Sequence, residues 1–138
     1  MIGKLDDYMR FNQTALSLRS QRQELLASNI ANADTPNYKA RDIDFASAMQ
    51  NALAGGGKAG ALNTTAEKHM ARGKADGNTL ADGTPVLYRG VVQGSVDGNT
   101  VDMDVERNQF ADNALRYEAA IMMINSQIKG LQTALQGQ

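Results

Sequence analysis

Two amphipathic patterns stand at the two ends of the chain, separated by a stretch poor in large apolar residues. Phe110, Ala114, Tyr117, Ile121, Ile124, Ile128, Leu131 and Leu135 alternate at spacings of four and three, an unbroken heptad seam. The spacing predicts a long C-terminal helix over 105–138, with Asp104 as its N-cap and Glu106 complementing the dipole of its first turn. At the other end Tyr8, Phe11, Ala15, Leu18 and Leu25 follow helical spacing, with Met9, Leu16, Leu26 and Ile30 on adjoining positions and Arg22 interrupting the stripe. This predicts a helix through most of segment 1–34, ended by Thr35-Pro36, because the residue before a proline is pushed out of the α region.

Glycine placement sharpens the division. Of 13 glycines, none lies between Gly3 and Gly55, and most of the rest cluster from Gly55 to Gly98. Glycine disfavours helix, so the ends read as helical and the middle does not. From Ala46 to Thr84 only Leu53, Leu62 and Leu80 come from the Leu, Ile, Val and Phe set. Segment 35–84 is therefore expected to be an extended turn and a flexible Gly-rich loop. Over 85–104, Val, Leu and Tyr bounded by Asp97-Gly98-Asn99 predict a short β-hairpin that needs another layer to pack on. The fold class expected is mainly α: two long terminal helices in an antiparallel, coiled-coil-like pair, a Gly-rich central loop and a short β-hairpin.

The flanks of the C-terminal seam change what that pair is for. A two-helix coiled coil in water carries Glu and Lys beside its seam. Here the flanking positions include Asn113, Glu118, Ala120, Asn125, Gln127, Gln132 and Ala134, and Lys129 is the one charge from Ala119 to Gln138. Leu115, Met122 and Met123 add apolar surface off the seam. Such a helix is either buried in an ordinary helical bundle or surrounded by helices of other chains, and the thin core favours the second. Leu, Ile, Val and Phe supply only about a fifth of the residues, thin for an autonomous core, and the formal net charge of −1 argues against plain disorder.

Composition and spacing offer little chemistry. The charge balance gives no nucleic-acid footprint. With no Cys there is no disulfide, thiolate nucleophile or Cys-containing metal site. Gly57-Lys58 lacks the glycine and the hydroxyl of a phosphate loop, which would fall at Ala52 and Ala59. Asp97, Asn99, Asp102, Asp104 and Glu106 miss the calcium-loop register at Val101 and Asp102. His69 stands alone in a polar stretch. No enzyme activity, cofactor or metal is expected. The acidic pair Asp6-Asp7 rules out a secretory signal, and the longest apolar run, Ala119 to Ile124, falls far short of the ~20 residues of a membrane span.

The end of the first helix reads Ala27-Ser28-Asn29-Ile30-Ala31-Asn32-Ala33-Asp34-Thr35-Pro36-Asn37-Tyr38-Lys39. This resembles the signature of the bacterial flagellar axial proteins, the rod and hook subunits. Asp97-Gly98-Asn99-Thr100-Val101-Asp102-Met103-Asp104, leading into Asn113-Ala114-Leu115-Arg116-Tyr117-Glu118-Ala119-Ala120, is similar to the small rod proteins. The short length and whole-chain pattern resemble the proximal rod subunit most. Larger relatives often carry Gly where Asn37 stands; both residues tolerate positive φ. The resemblance implies a structural rod subunit that assembles helically with other rod subunits and transmits torque by packing. It also implies contact with the membrane-ring protein and its rod adaptor, and passage through the flagellar type III export apparatus without a cleaved signal. Its place would be the rod crossing the periplasm. The residues expected to carry assembly are Asn29, Ile30, Asn32, Thr35, Pro36 and Tyr38, together with the seam from Phe110 through Tyr117, Ile121, Ile124, Ile128 and Leu131 to Leu135. A soluble coiled-coil adaptor or export chaperone, or another small rod subunit, is the alternative.

Overall fold

The computed structural model describes residues 2–53, 80, 84–90 and 95–137. Helix α1 covers Ile2–Ala31, strand β1 Arg41–Asp42, helix α2 Phe45–Leu53, strand β2 Leu87–Tyr88 and helix α3 Met103–Gln136. The chain is mainly helical, with one small antiparallel two-stranded sheet.

Helix α3 starts two residues earlier than expected. Asp102, in extended conformation, is the N-cap, and its carboxylate accepts from the backbone N–H groups of Asp104 and Val105. Asp104 is already helical and supplies one of the orphan donors that a cap must satisfy, so it cannot be the cap itself. At the far end Gly137 closes the helix with φ 71°, the left-handed conformation that glycine takes without penalty. Helix α1 ends in a tight run: the Asn32 side chain donates to the Ser28 carbonyl at 2.8 Å, and Asn37 adopts φ 59° before the chain becomes extended.

Helix α2 lies where a loop is expected, which corrects the reading of segment 35–84. The Asp44 carboxylate accepts from the N–H groups of Ala46 and Ser47 and from the Ser47 hydroxyl, the bonding of a helix cap. Phe45, Ala48 and Met49 then fall on one face, and Ala48 and Met49 are buried. Ala and Met fill this face, so a search for Leu, Ile, Val and Phe passes over it. The remainder of the Gly-rich stretch, with Gly57-Lys58 and His69, lies outside the described residues.

The β element is a second correction. Its strands are not neighbours in sequence: Arg41 pairs with Tyr88 and Asp42 with Leu87. Among the described residues, Asp97-Gly98-Asn99 forms a turn with no strand beside it, closed by the Gly98 N–H on the Ser95 carbonyl. The apolar core is small. It joins Ala15, Leu18 and Leu25 of α1 to Ile43, to Ala48 and Met49 of α2 and to Val86, with Phe45 and Leu80 at its margin. The Arg19 guanidinium lies 4.5 Å over the Phe45 ring.

Candidate assembly interface

The first motif is built around Asn29, which is fully buried. Its side-chain amide pairs with the backbone of Arg41 in both senses: Nδ2 donates to the Arg41 carbonyl at 2.7 Å, and Oδ1 accepts the Arg41 N–H at 3.0 Å. Asn29 thus serves β1 as a strand neighbour would, on the edge opposite β2. The Tyr38 hydroxyl donates to the same Oδ1 at 3.3 Å and lies 3.2 Å from the Ser28 hydroxyl, fixing the extended chain on the helix. Thr35 and Pro36 are exposed and Ile30 is half-buried; the Thr35 hydroxyl donates to Asn32 Oδ1.

A polar chain of side chains joins this point to α3. Arg22 grips Asp42 with two parallel bonds of 2.9 Å. Arg89 donates to Asp42 at 2.8 Å and also pairs with Glu106. Glu106, with no exposed surface, accepts from Asn29 Nδ2 at 3.2 Å, and Arg22 reaches on to Gln109 of α3. Three elements therefore meet through ion pairs, each charge with an opposite partner, as burial requires. Burial would push the Asp42 carboxyl up, but the hydrogen bonds from Arg22 and Arg89 and from the Ile43 N–H outweigh it and hold the pKa below the ordinary 3.8. The Asp42 hydrogen bond in turn raises the Arg22 pKa against the effect of burial.

The second motif closes on the first. The Asn99 amide donates to three carbonyls at the end of α1: Asn32 at 3.0 Å, Ala33 at 2.7 Å and Thr35 at 2.9 Å. Its Oδ1 accepts the Val101 N–H. Around it the Asn37 N–H donates to the Asp97 carbonyl, the Thr100 N–H to the Tyr38 carbonyl and the Ala40 N–H to the Thr100 hydroxyl. Lys39 Nζ reaches the Gly98 carbonyl at 2.6 Å. Gly98 has φ 73°, and a Cβ there would stand 2.7 Å from Asn37 Oδ1. The two signature segments are one physical structure.

Along the rest of its length α3 runs antiparallel to α1, with Gln23 Nε2 donating to the Phe110 carbonyl and Gln127 to the Tyr8 hydroxyl. The face turned inward differs from the one the heptad seam predicts. Phe110, Ala114, Tyr117, Ile121 and Ile124 are half-buried, whereas Ile128, Leu131 and Leu135 are exposed, Leu135 to 87%. The fully buried side chains of α3 are polar: Glu106 and Asn113. Leu115, Met122 and Met123 are also exposed, and so are Tyr8 and Phe11 at the facing end of α1. A notch of about 250 Å³, lined by Ser20, Gln23, Ala114, Tyr117 and Glu118, stays open between the helices.

Of the predicted residues, Asn29, Asn32 and Tyr38 are brought together at the clasp, while the seam from Ile121 to Leu135 extends away from it. Periodicity missed Arg22, Asp42, Arg89 and Asn99. The signal for Arg22, shared by Asn29, is position: both continue the Ala15, Leu18 and Leu25 face at spacings of four and three.

A polar clasp joins one end of the helix pair, and an apolar stripe is exposed along the other. Residues 9–39 match the family described as Flagella basal body rod protein. The chain is 49% identical over 139 residues to Flagellar basal body rod protein FlgB of Salmonella typhimurium, covering 99% of both chains. Its identity to the protein of the same name from Escherichia coli is 50% over 140 residues, with 99% of this chain and 98% of that one covered. For the Cereibacter sphaeroides protein it is 45% over 132 residues, 96% of each. The chain belongs to the flagellar basal body rod protein family and is a structural subunit of the rod of the flagellar basal body.

Proposed function

We propose that this subunit occupies the proximal rod and assembles helically with other axial proteins, transmitting torque through packed helices. The observation that carries the reading is the apolar stripe of α3, open in the single chain from Ile128 to Leu135 and flanked by exposed Met122 and Leu115. An exposed stripe of this length is the mark of a surface completed by partners. In the rod, α1 and α3 act as a coiled-coil-like pair whose seam residues Phe110, Tyr117, Ile121, Ile124, Ile128, Leu131 and Leu135 meet helices of adjacent subunits. The clasp formed by Asn29, Asn32 and Tyr38, with Ile30 of the last helical turn and the adjoining Thr35 and Pro36, presents the end of the pair. The further partners are the membrane-ring protein, its rod adaptor and the type III export apparatus, through which the chain passes to reach the periplasm. Among the described residues no helix is long and apolar enough to cross a membrane.

The test is an immunoblot of purified hook–basal bodies with an antibody to this chain, alongside Ile124→Asp. The wild-type protein is expected at low, fixed stoichiometry beside the ring proteins. Ile124→Asp is expected to be absent, since assembly would bury its unpaired carboxylate. Wild-type protein found soluble in the cytoplasm and missing from the basal body would favour the adaptor or chaperone.

A further inference from the structure

Every seventh residue of α3 from Glu106 onward forms one row: Glu106, Asn113, Ala120 and Gln127. Over Glu106 and Asn113 this row, not the apolar seam, is the part of the helix set most deeply against α1. Glu106 and Asn113 have no exposed surface, and Ala120 and Gln127 are half-buried. Each polar member is matched on α1. Glu106 meets Asn29; Asn113 Nδ2 donates to the Arg19 carbonyl at 2.9 Å and to Gln23 Oε1 at 2.6 Å; Gln127 Nε2 donates to the Tyr8 hydroxyl at 2.5 Å. The satisfaction is incomplete, because Asn113 Oδ1 and Gln127 Oε1 are buried without a partner. Maximal burial of apolar area would not choose this arrangement. One residue further along the helix lie Ala114, Ile121, Ile128 and Leu135, an apolar row. Turning α3 about its axis by about 50° would bring it against α1.

We infer that Asn113 and Gln127, through their partners on α1, hold α3 in a rotation that keeps its apolar row from turning fully against the chain's own first helix. Buried polar residues in helix pairs set register and orientation at a cost in stability, because a wrong rotation strands their hydrogen-bonding groups. Here the rotation they select leaves Ala114 and Ile121 only half-buried and Ile128 39% exposed. The chain closes on itself through polar contacts and reserves its apolar row for other chains. That last consequence rests on the rod-subunit reading; the rotation itself does not.

Thiol alkylation tests the rotation on the full chain, which has no cysteine of its own. Ile128→Cys reports on the apolar row. Met122→Cys, at a position 65% exposed on the far side, reports on general opening. Each is placed in the native background and in an Asn113→Ala/Tyr8→Phe background, which removes one buried amide and the acceptor of the Gln127 bond. Loss of the polar contacts is expected to let the row turn inward. Alkylation at position 128 then slows by about threefold or more, with the rate at 122 and the far-UV helicity unchanged. Equal rates at 128 in the two backgrounds would overturn the inference. So would faster alkylation at both positions, which would show that these residues merely hold the pair together. Because the readout uses the isolated chain, it stands whether or not the protein is recovered from basal bodies.

Discussion

The side chain of Asn99 caps the end of a helix 67 residues before it, its amide nitrogen 3.0 Å from the carbonyl oxygen of Asn32. A helix C-terminus leaves its last carbonyls without intrahelical partners, and this one amide also serves those of Ala33 and Thr35. Asn99→Ala is expected to destabilise the chain by about 1–3 kcal/mol, through loss of the bonds that this buried amide makes. Asn99→Asp should cost more, since it aims a carboxylate at the same carbonyls. Urea unfolding followed by far-UV circular dichroism measures both.

Glu106 and Arg89 form a pair in which the carboxylate is almost entirely enclosed, at 1% side-chain exposure. Glu106→Ala leaves Arg89 facing Asp42 alone and takes from the Asn29 amide one of its two acceptors, the other being the Arg41 carbonyl, and a loss of about 3–5 kcal/mol is expected. Restoring size without charge, as in Glu106→Gln, should recover part of it. A double-mutant cycle with Arg89→Ala should show coupling of about 0.5–3 kcal/mol, as residues in one ion-pair network do. Additive effects would mean the pair acts independently.

Asp42 makes stability depend on pH with a definite sign. Its folded-state pKa lies below the ordinary 3.8, so its contribution is complete above that value and fades as pH falls through the folded one. Acid unfolding should therefore steepen below about pH 4 in the native protein. Asp42→Asn should be less stable at neutral pH, with a flatter profile in the acid range. Denaturation midpoints taken across this range in both proteins provide the check.

Gly98 occupies a left-handed backbone conformation with its missing Cβ directed at Asn37. Gly98→Ala is expected to cost about 1–2 kcal/mol, chiefly through the backbone. The Asn37 amide is the far end of a side chain and can move aside. Gly98→Asn should be milder than Gly98→Ala, because Asn accepts positive φ more readily. Comparison of their melting temperatures separates backbone strain from the steric contact.

Much of the architecture is written in local patterns. The glycine-poor ends mark α1 and α3, and the Asn29 and Asn32 pair, odd on an Ala- and Leu-rich helix, marks the clasp. Other features are invisible to periodicity because they depend on partners distant in the chain. Arg22 reads as a break in an apolar stripe until Asp42 is placed opposite it. Glu106 reads as a first-turn acid suited to the helix dipole, and only Arg89 and Asn29 explain its burial. The two strands are two residues each and share no turn, so no hairpin signal announces them. The heptad seam identifies the apolar row correctly but not the direction in which a single chain turns it.

The pairing of Asn29 with Glu106 closes a span of 77 residues, and that of Tyr8 with Gln127 a span of 119. A protein made mainly of helices thus has the distant contacts usual in β-sheet proteins, and its folding has to wait on the meeting of chain ends. Loop-closure entropy grows only with the logarithm of length, so doubling the connecting chain adds about 0.6 kcal/mol. Lengthening or trimming the segment between α2 and β2 is correspondingly cheap, whereas shifting one helix along the other by a single turn breaks the clasp and the polar row together.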